Sequence, residues 1–221
     1  IAREKSFDGR CLVEEFVEGR EFTIDMLGDG QGNLSVYAIS TKYHSPFALH
    51  NRVATRIHWN SRAYPDEVFA RIAEMGKRCY RSLGLSNSFG HLEMLMRPDG
   101  RFSPVEIGAR SSGFICSHLV SEASGRDYLH DYVRMLHGQT IENADHINGP
   151  RSSMWFGYDI PAGTHSVRPS TLRPFLDPRI EVLYSKTDGL KVPGDFGNII
   201  DDNGRDSYGY EMLAGDRDIL T

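Results

Sequence analysis

The stretch from His91 to Ile107 constrains this chain more than any other. His91-Leu92-Glu93-Met94-Leu95-Met96 reads as one strand, Pro98-Asp99-Gly100-Arg101 as a turn, and Phe102-Ser103-Pro104-Val105-Glu106-Ile107 as the returning strand. An Asp-Gly pair between two apolar runs is a strong hairpin signal. With Asp99-Gly100 as a two-residue loop, Pro98 faces Arg101, and counting outward sets Glu93 directly opposite Glu106. A symmetric four-residue loop gives the same pairing, whereas a loop of three or five residues breaks it. Facing carboxylates, with Cβ atoms about 4.5–5.5 Å apart, repel unless a cation lies between them. Two readings stand: a surface hairpin whose glutamates face water, or a site for a divalent metal. Leu92, Met94 and Met96 share one face, and Leu95 joins His91 and Glu93 on the other, so the strand reads as buried on both sides. A buried carboxylate needs a partner. Oxygen-only ligands suit Mg²⁺, with Mn²⁺ also compatible, completed by water and phosphate oxygens. Arg110 then stands where it can hold the anion that such a metal carries.

The bulk numbers exclude several classes. At 221 residues, 39% hydrophobic and 25% charged, the chain has the composition of an ordinary globular protein, with room for one large domain or two small ones. A formal charge of −5 argues against nucleic acid as the main partner. Cys11, Cys79 and Cys116 are odd in number and far apart, which speaks against a disulfide framework or a zinc site and for a reducing compartment. No apolar run approaches the roughly 18 residues of a membrane span. The expectation is a cytoplasmic protein with neither nucleic-acid nor membrane partner. The chain opens on Ile1 and runs quickly into an apolar stretch, so it reads as a piece of a longer protein.

Along the chain, Cys11–Val17 and Glu21–Leu27 read as strands joined by a hairpin or short crossover, and Gly28–Asn33 as a plain turn into a third strand, Leu34–Ser40. The glycines of that turn do not spell a phosphate cradle, because no Lys-Ser/Thr pair follows and they join strand to strand. Thr41 to Tyr64 reads as a long loop carrying His44, His50, His58 and several basic side chains, available to an anionic substrate. Pro65 opens a helix with an apolar stripe of Val68, Ile72, Met75, Cys79 and Leu83, stopped by Gly84. Two short helices follow, Phe114–Ala123 and Asp127–His137. Residues 139–152 form a linker or long turn. Beyond it, Met154–Ile160, Ile180–Tyr184 and Phe196–Ile200 read as strands, and Tyr208–Ala214 as a final helix. The expected organisation is 1–140 as one subdomain and 141–221 as a β-rich lobe packed on it.

The order of these pieces resembles the second half of an ATP-grasp domain, in the group of carboxylate–amine ligases that includes amino acid and dipeptide ligases. The matching residues are Leu12-Val-Glu-Glu-Phe-Val-Glu-Gly-Arg-Glu21, His91-Leu-Glu93 and Val105-Glu-Ile-Gly-Ala-Arg-Ser-Ser-Gly113. The resemblance implies an α+β fold: an ATP-grasp-like C-terminal subdomain, made of an antiparallel sheet with flanking helices, plus the β-rich C-terminal lobe. It implies that the backbone of Glu15 and Val17, assisted by Glu14, holds the adenine of ATP, and that Glu21 takes the ribose hydroxyls. An acceptor-only side chain suits two hydroxyl donors. It makes Glu93 and Glu106 the metal ligands, and Arg110 the residue on the transferred phosphate, with Gly113 allowing close backbone approach. An ion pair between Arg110 and Glu106 is the plainer alternative. Where many relatives carry a third, asparagine ligand, this chain has Gly108. The family's phosphate-binding lysines and Gly-rich lid would precede Ile1, and neither Lys5 nor Lys42 is assigned their role.

The implied reaction activates a carboxylate with the γ-phosphate of ATP and joins it to an amine, releasing ADP and phosphate; the substrates are expected to be amino acids. A biotin carboxylase-like enzyme is a rival, but its Gln-Val-Glu-His-like run is replaced here by Ser112-Gly113-Phe114-Ile115. A nucleotide-binding module without turnover and a β-rich structural domain without nucleotide are the others. His44, His50, Asn51 and Arg52 are candidates for substrate contact. The upstream half of the protein is an expected partner, and a homo-oligomer is compatible with the sequence.

Overall fold

A computed structural model describes residues 2–46, 53–113, 116–165, 176–187, 194–196 and 208–220. One turn of helix, Ala2–Lys5 (α1), precedes an extended stretch, and the sheet begins with Arg20–Asp29 (β1). The chain reverses where Asp29 Oδ1 accepts the backbone N–H of Gln31 (2.8 Å) and Asn33 (3.1 Å), and Gly30 takes φ +72°. Leu34–His44 (β2) returns beside β1 and Ala54–Trp59 (β3) beside β2. Asp66–Ser82 (α2) leads to the hairpin Asn87–Met96 (β4) and Phe102–Gly108 (β5). Two helices, Cys116–Ser124 (α3) and Tyr128–Leu136 (α4), come next. The Asp127 side chain caps α4 through the His130 N–H, satisfying a donor the helix leaves open. Arg151–Gly157 (β6), Gly163–His165 (β7), Glu181–Lys186 (β8), Gly194–Phe196 (β9) and Tyr210–Asp216 (β10) complete the elements.

Eight strands form one antiparallel sheet in the order β5-β4-β1-β2-β3-β6-β10-β8, and β7 pairs with β9. Strands from residues 141–221 therefore extend the sheet begun by β1 to β5. On one face Phe22, Ile24, Met26, Val36, Leu92 and Met94 pack against Phe69, Ile72, Ala73 and Tyr80 of α2. On the other, Leu27, Ala38, Trp59, Trp155 and Met212 are covered by Leu119, Val120, Ala123, Tyr128 and Met135 of α3 and α4. The helices stop short of the Glu21 end of that face, and the polar side chains gather there. The α+β class with an antiparallel sheet and flanking helices is the one the resemblance implied.

Several local expectations change. Cys11–Val17 is not a strand: both flanks of β1 are taken by β2 and β4, no strand pairs with residues 11–18 among the described residues, and Leu12, Val13 and Phe16 lie exposed. The Thr41–Tyr64 loop instead contains the end of β2 and all of β3; the basic side chains obscured the alternation, and Arg56 lays its guanidinium over the Tyr43 ring at 3.9 Å. Tyr208–Ala214 is not a helix, because Tyr210–Asp216 is a strand buried on both faces, whose apolar run has no visible period of two. Helix α2 buries Phe69, Ala73, Gly76 and Tyr80 beside Ile72, while Leu83 is exposed. The small residues let the helix sit close, since a Cβ at Gly76 would lie 3.1 Å from the Ile24 methyls. His50, Asn51, Arg52, Phe114, Ile115 and residues 197–200 lie outside the described residues.

Gly90 of β4 gives the same seam a test. A Cβ there would stand 2.6 Å from Tyr80 Cδ2, and that ring is locked by its hydroxyl donating to Ser88 O at 2.8 Å. Gly90→Ala should lower stability by about 1–3 kcal/mol through overpacking. Urea unfolding should show the loss shrinking when Tyr80→Leu is added; equal losses in both backgrounds would place the strain elsewhere.

Candidate functional site

The β4–β5 hairpin brings Glu93 opposite Glu106, as the sequence predicted, but by a different route. The loop has three residues, Pro98, Asp99 and Gly100, closed by Arg97 N–H donating to Arg101 O at 2.8 Å. Gly100 takes the left-handed φ of +78° that this loop requires. Alone, that loop would set Glu93 opposite Val105. A bulge between Glu93 and Met94 leaves Val105 unpaired and restores the register. Edge strand β5 tolerates both the bulge and Pro104, which has no N–H to donate. Leu92 and Met94 are buried against α2, while Glu93 is only partly covered and Glu106 is open to solvent. The burial expected on both faces holds at Leu92 and Met94 on one and at His91 on the other, where Glu93 and Leu95 are partly covered.

Strand order then adds what the hairpin lacks. β4 lies beside β1 and β1 beside β2, so Glu21, Lys42 and Glu93 meet on one face. Lys42 Nζ donates to Glu21 Oε1 at 2.6 Å and to Glu93 Oε1 at 2.8 Å. His44 Nε2 stands 2.9 Å from the other Glu21 oxygen. Burial alone would push the Glu21 carboxyl upward, but His44 and Lys42 outweigh it and hold its pKa at about 2. Burial pulls Lys42 down, yet Glu21 and Glu93 raise it above its ordinary value. Below this layer Asp25, with no exposed surface, pairs its Oδ1 with His91 Nδ1 at 2.8 Å and accepts Trp59 Nε1–H at 3.3 Å on Oδ2. Burial lowers the His91 pKa, and the Asp25 carboxylate more than restores it.

Arg110 lies at the rim. Its guanidinium stands 3.7 Å from Glu106 Oε1 and donates to Ser111 O at 3.0 Å. With both side chains more than half exposed, this ion pair contributes little. Glu14 and Glu15 are exposed and Val17 is partly covered, all in the extended stretch before β1. Among the described residues no group of three or more His, Cys, Asp or Glu side chains is assembled as a metal cage. Two facing carboxylates nevertheless fit Mg²⁺, which takes one or two from protein and the rest from water and phosphate. Sequence reasoning missed Lys42, His91 and Asp25. The signal for Lys42 was its alternation with Ser40 and His44, which continues β2 past its expected end.

Comparison with known proteins follows the same outline. The profile of the ATP-grasp domain matches residues 2–118, more than half of the chain. The chain belongs to the ATP-grasp family. A D-alanine–D-alanine ligase of Bordetella petrii is 29% identical over 152 residues, covering 67% of this ATP-grasp chain and 46% of that protein. D-alanine–D-alanine ligase A of Mesorhizobium japonicum is 28% identical over 115 residues, covering 46% and 30%. The chain thus spans less than half the length of these relatives, which lie in the ligase group that the sequence resembled. Among solved structures, the L-amino acid ligase of Bacillus licheniformis superposes with a TM-score of 0.62 at 18% identity, over 90% of this chain and 47% of that one. A biotin carboxylase of Campylobacter jejuni gives 0.58 at 12% identity, over 92% and 43%. A phosphoribosylglycinamide synthetase of Anaerococcus prevotii gives 0.57 at 16% identity, over 99% and 53%. At these identities the likeness establishes the ATP-grasp fold. No helix among the described residues is long and apolar enough to cross a membrane.

Proposed function

We propose that this chain carries the nucleotide- and metal-binding part of an ATP-dependent carboxylate–amine ligase acting on amino acids. The observation that carries the reading is the placement of Glu93 opposite Glu106 with the Lys42 ammonium between Glu21 and Glu93. The stretch before β1, which belongs to no strand of the sheet, offers the backbone of Glu15 and Val17, with Glu14, to an adenine. Glu21, whose carboxylate Lys42 and His44 hold ionised, takes the ribose hydroxyls. Mg²⁺ or Mn²⁺ held by Glu93 and Glu106 supplies neutralisation of the phosphate charge when bound. Arg110, exposed at the rim, steadies the transferred phosphoryl group.

A carboxylate oxygen of the first substrate attacks the γ-phosphorus and ADP leaves, giving an acyl phosphate. The uncharged amine nitrogen of the second attacks the acyl carbon, the bond from that carbon to the phosphate oxygen breaks, the proton lost by nitrogen leaves with the phosphate, and an amide forms. Most of this catalysis is positioning and charge stabilisation. His44 is the one described residue, among the candidates for substrate contact, that lies in the cluster, through its contact with Glu21.

The test is Mg²⁺- and ATP-dependent phosphate release by the full-length protein with amino acids offered singly and in pairs. The expected result is release that requires two substrates, yields ADP and falls by about 100-fold or more in Glu106→Gln. Tight Mg·ATP binding without release across the panel would instead identify a nucleotide-binding module without turnover.

A further inference from the structure

The large sheet ends on β8, and among the described residues no strand pairs with the outer side of Glu181–Lys186. An open edge of this kind is a template for a further strand, and charged side chains are the usual guard against it. Here the charges stand only at the two ends, Glu181 and Lys186, with Val182, Leu183, Tyr184 and Ser185 between them. Tyr184 is 48% exposed and the Glu181 side chain 62%, so the edge is accessible.

Residues an odd number of positions apart on a regular strand point to opposite faces. In the ladder with β10, however, Met212 pairs with Tyr184 and Leu213 with Val182, so Leu183 is an extra, bulged residue. The bulge brings Glu181 onto the face of Lys186. On that face Tyr184 stacks on Tyr210 with ring centroids 5.7 Å apart, and Lys186 Nζ stands 5.9 Å over the same ring. Glu181 lies 3.9 Å from Arg151, which pairs with Glu122 of α3 above it. Leu183 also packs there, beside the Trp155 and Met212 cluster. Val182 turns the other way, against Met154 and Leu213, as does Ser185, whose Oγ donates to Glu211 at 3.2 Å.

A strand that pairs antiparallel with its own copy, about a two-fold axis normal to the sheet, must set like faces opposite each other. The bulge satisfies this for a register whose axis runs between Leu183 and Tyr184. Glu181 of each copy then faces Lys186 of the other, Val182 faces Ser185, and Leu183 and Tyr184 meet at the axis. A parallel pairing would set each charge beside its own kind, which is unfavourable. We propose that β8 is the pairing edge of a two-fold homodimer in which the sheets of two copies join into one. The opposite charges at its ends choose a second copy as the partner and fix its direction. This edge lies at the far end of the sheet from β5, so pairing there leaves the Glu93–Glu106 hairpin open, and the proposal does not depend on the ligase reading.

Analytical ultracentrifugation of the full-length protein across a concentration series gives the test. A dimer is expected. Glu181→Lys and Lys186→Glu should each raise its Kd about tenfold or more, because two attractive pairs become repulsive ones. The variant carrying both reversals should return to within about threefold of the native value, since the pairs are restored with their signs exchanged. A role confined to Arg151 or to the Tyr210 ring would not be rescued in this way. A monomer throughout, a dimer indifferent to both reversals, or a loss that the double reversal does not repair would overturn the proposal. Carbodiimide coupling of the native protein decides the matter even if the variants fail to fold. Within one strand Glu181 and Lys186 lie about 16 Å apart at roughly 3.3 Å per residue, too far to be joined directly. A digest of mixed ¹⁴N- and ¹⁵N-labelled protein should therefore contain a Glu181–Lys186 amide linking peptides of different label. Its absence from a dimer would overturn the pairing.

Discussion

Replacing Lys42 with methionine is expected to cost about 2–4 kcal/mol of stability at pH 7, and to reverse how this cluster responds to acid. In the native protein Glu21 titrates at about 2, below the ordinary 4.5 of its unfolded form. A carboxylate depressed in this way contributes stability above pH 4.5 and loses it as pH falls through about 2. The shift corresponds to roughly 3 kcal/mol. Glu21 and Lys42 are largely shielded from solvent, so screening takes little of it away. Without Lys42, Glu21 and Glu93 face each other with only His44 as a partner for Glu21. Repulsion then lifts the carboxyl pKa, the ionised pair becomes a penalty above pH 4.5, and acid relieves it. Urea unfolding at pH 4, 5.5 and 7 should show the variant's deficit shrinking toward low pH. A constant deficit would mean that Lys42 acts by packing its methylenes and not by charge. In the full-length protein the same substitution should reduce phosphate release by about 100-fold or more, because Glu21 and Glu93 lose the cation that positions them both.

How far the site could be read in advance follows from which contacts are local. Glu93 and Glu106 belong to one hairpin, and their pairing came from counting, although two errors cancelled: a three-residue loop took one residue from the register and the Val105 bulge returned it. The Gly28–Asn33 turn and the stop at Gly84 were legible for the same reason, each set by a few neighbouring residues. Lys42 against Glu21 required two further facts. One is that β2 runs on to His44, and the other is the register shift between Asp25 and Met26. His91 against Asp25 depended on β4 lying beside β1, with α2 and two other strands between them in sequence. Neither composition nor spacing encodes such a neighbour. Strand β3 was hidden because Arg56 and His58, on the face opposite Ile57 and Trp59, read as loop chemistry although His58 is buried. The resemblance supplied roles for Glu21, Glu93, Glu106 and Arg110, but it did not supply the lysine and histidine that join them.

The second large effect lies away from the carboxylates, in the seam between β3 and β6. His58 is buried there opposite Met154, with Nε2 3.2 Å from Ser152 Oγ. Burial, then the charges of Arg56 and Arg217, push its pKa down to about 3. A base depressed below its unfolded value of 6.5 works against the fold in acid. The unfolded chain takes up a proton below pH 6.5, the folded chain refuses it until about pH 3, and stability drains away between those limits. The loss can reach roughly 4–5 kcal/mol. His146, also held low by burial, acts in the same direction. His91, held above its ordinary value, contributes stability that is fully present below pH 6.5 and adds no slope there. Glu21 begins to titrate only below 4.5, so between 6.5 and 4.5 the buried imidazoles set the acid slope, opposed by Asp159, whose carboxyl burial holds above its ordinary value. His58→Leu should be less stable than the native protein at pH 7 by about 1 kcal/mol, because Ser152 Oγ loses its partner. At pH 4.5 it should be the more stable of the two, and urea midpoints followed across this interval should cross. Parallel curves would acquit His58. A crossing would place the acid weakness in the ladder that joins the strands around Lys42 to those of residues 151–216, so that mild acid would part the sheet at β3 and β6.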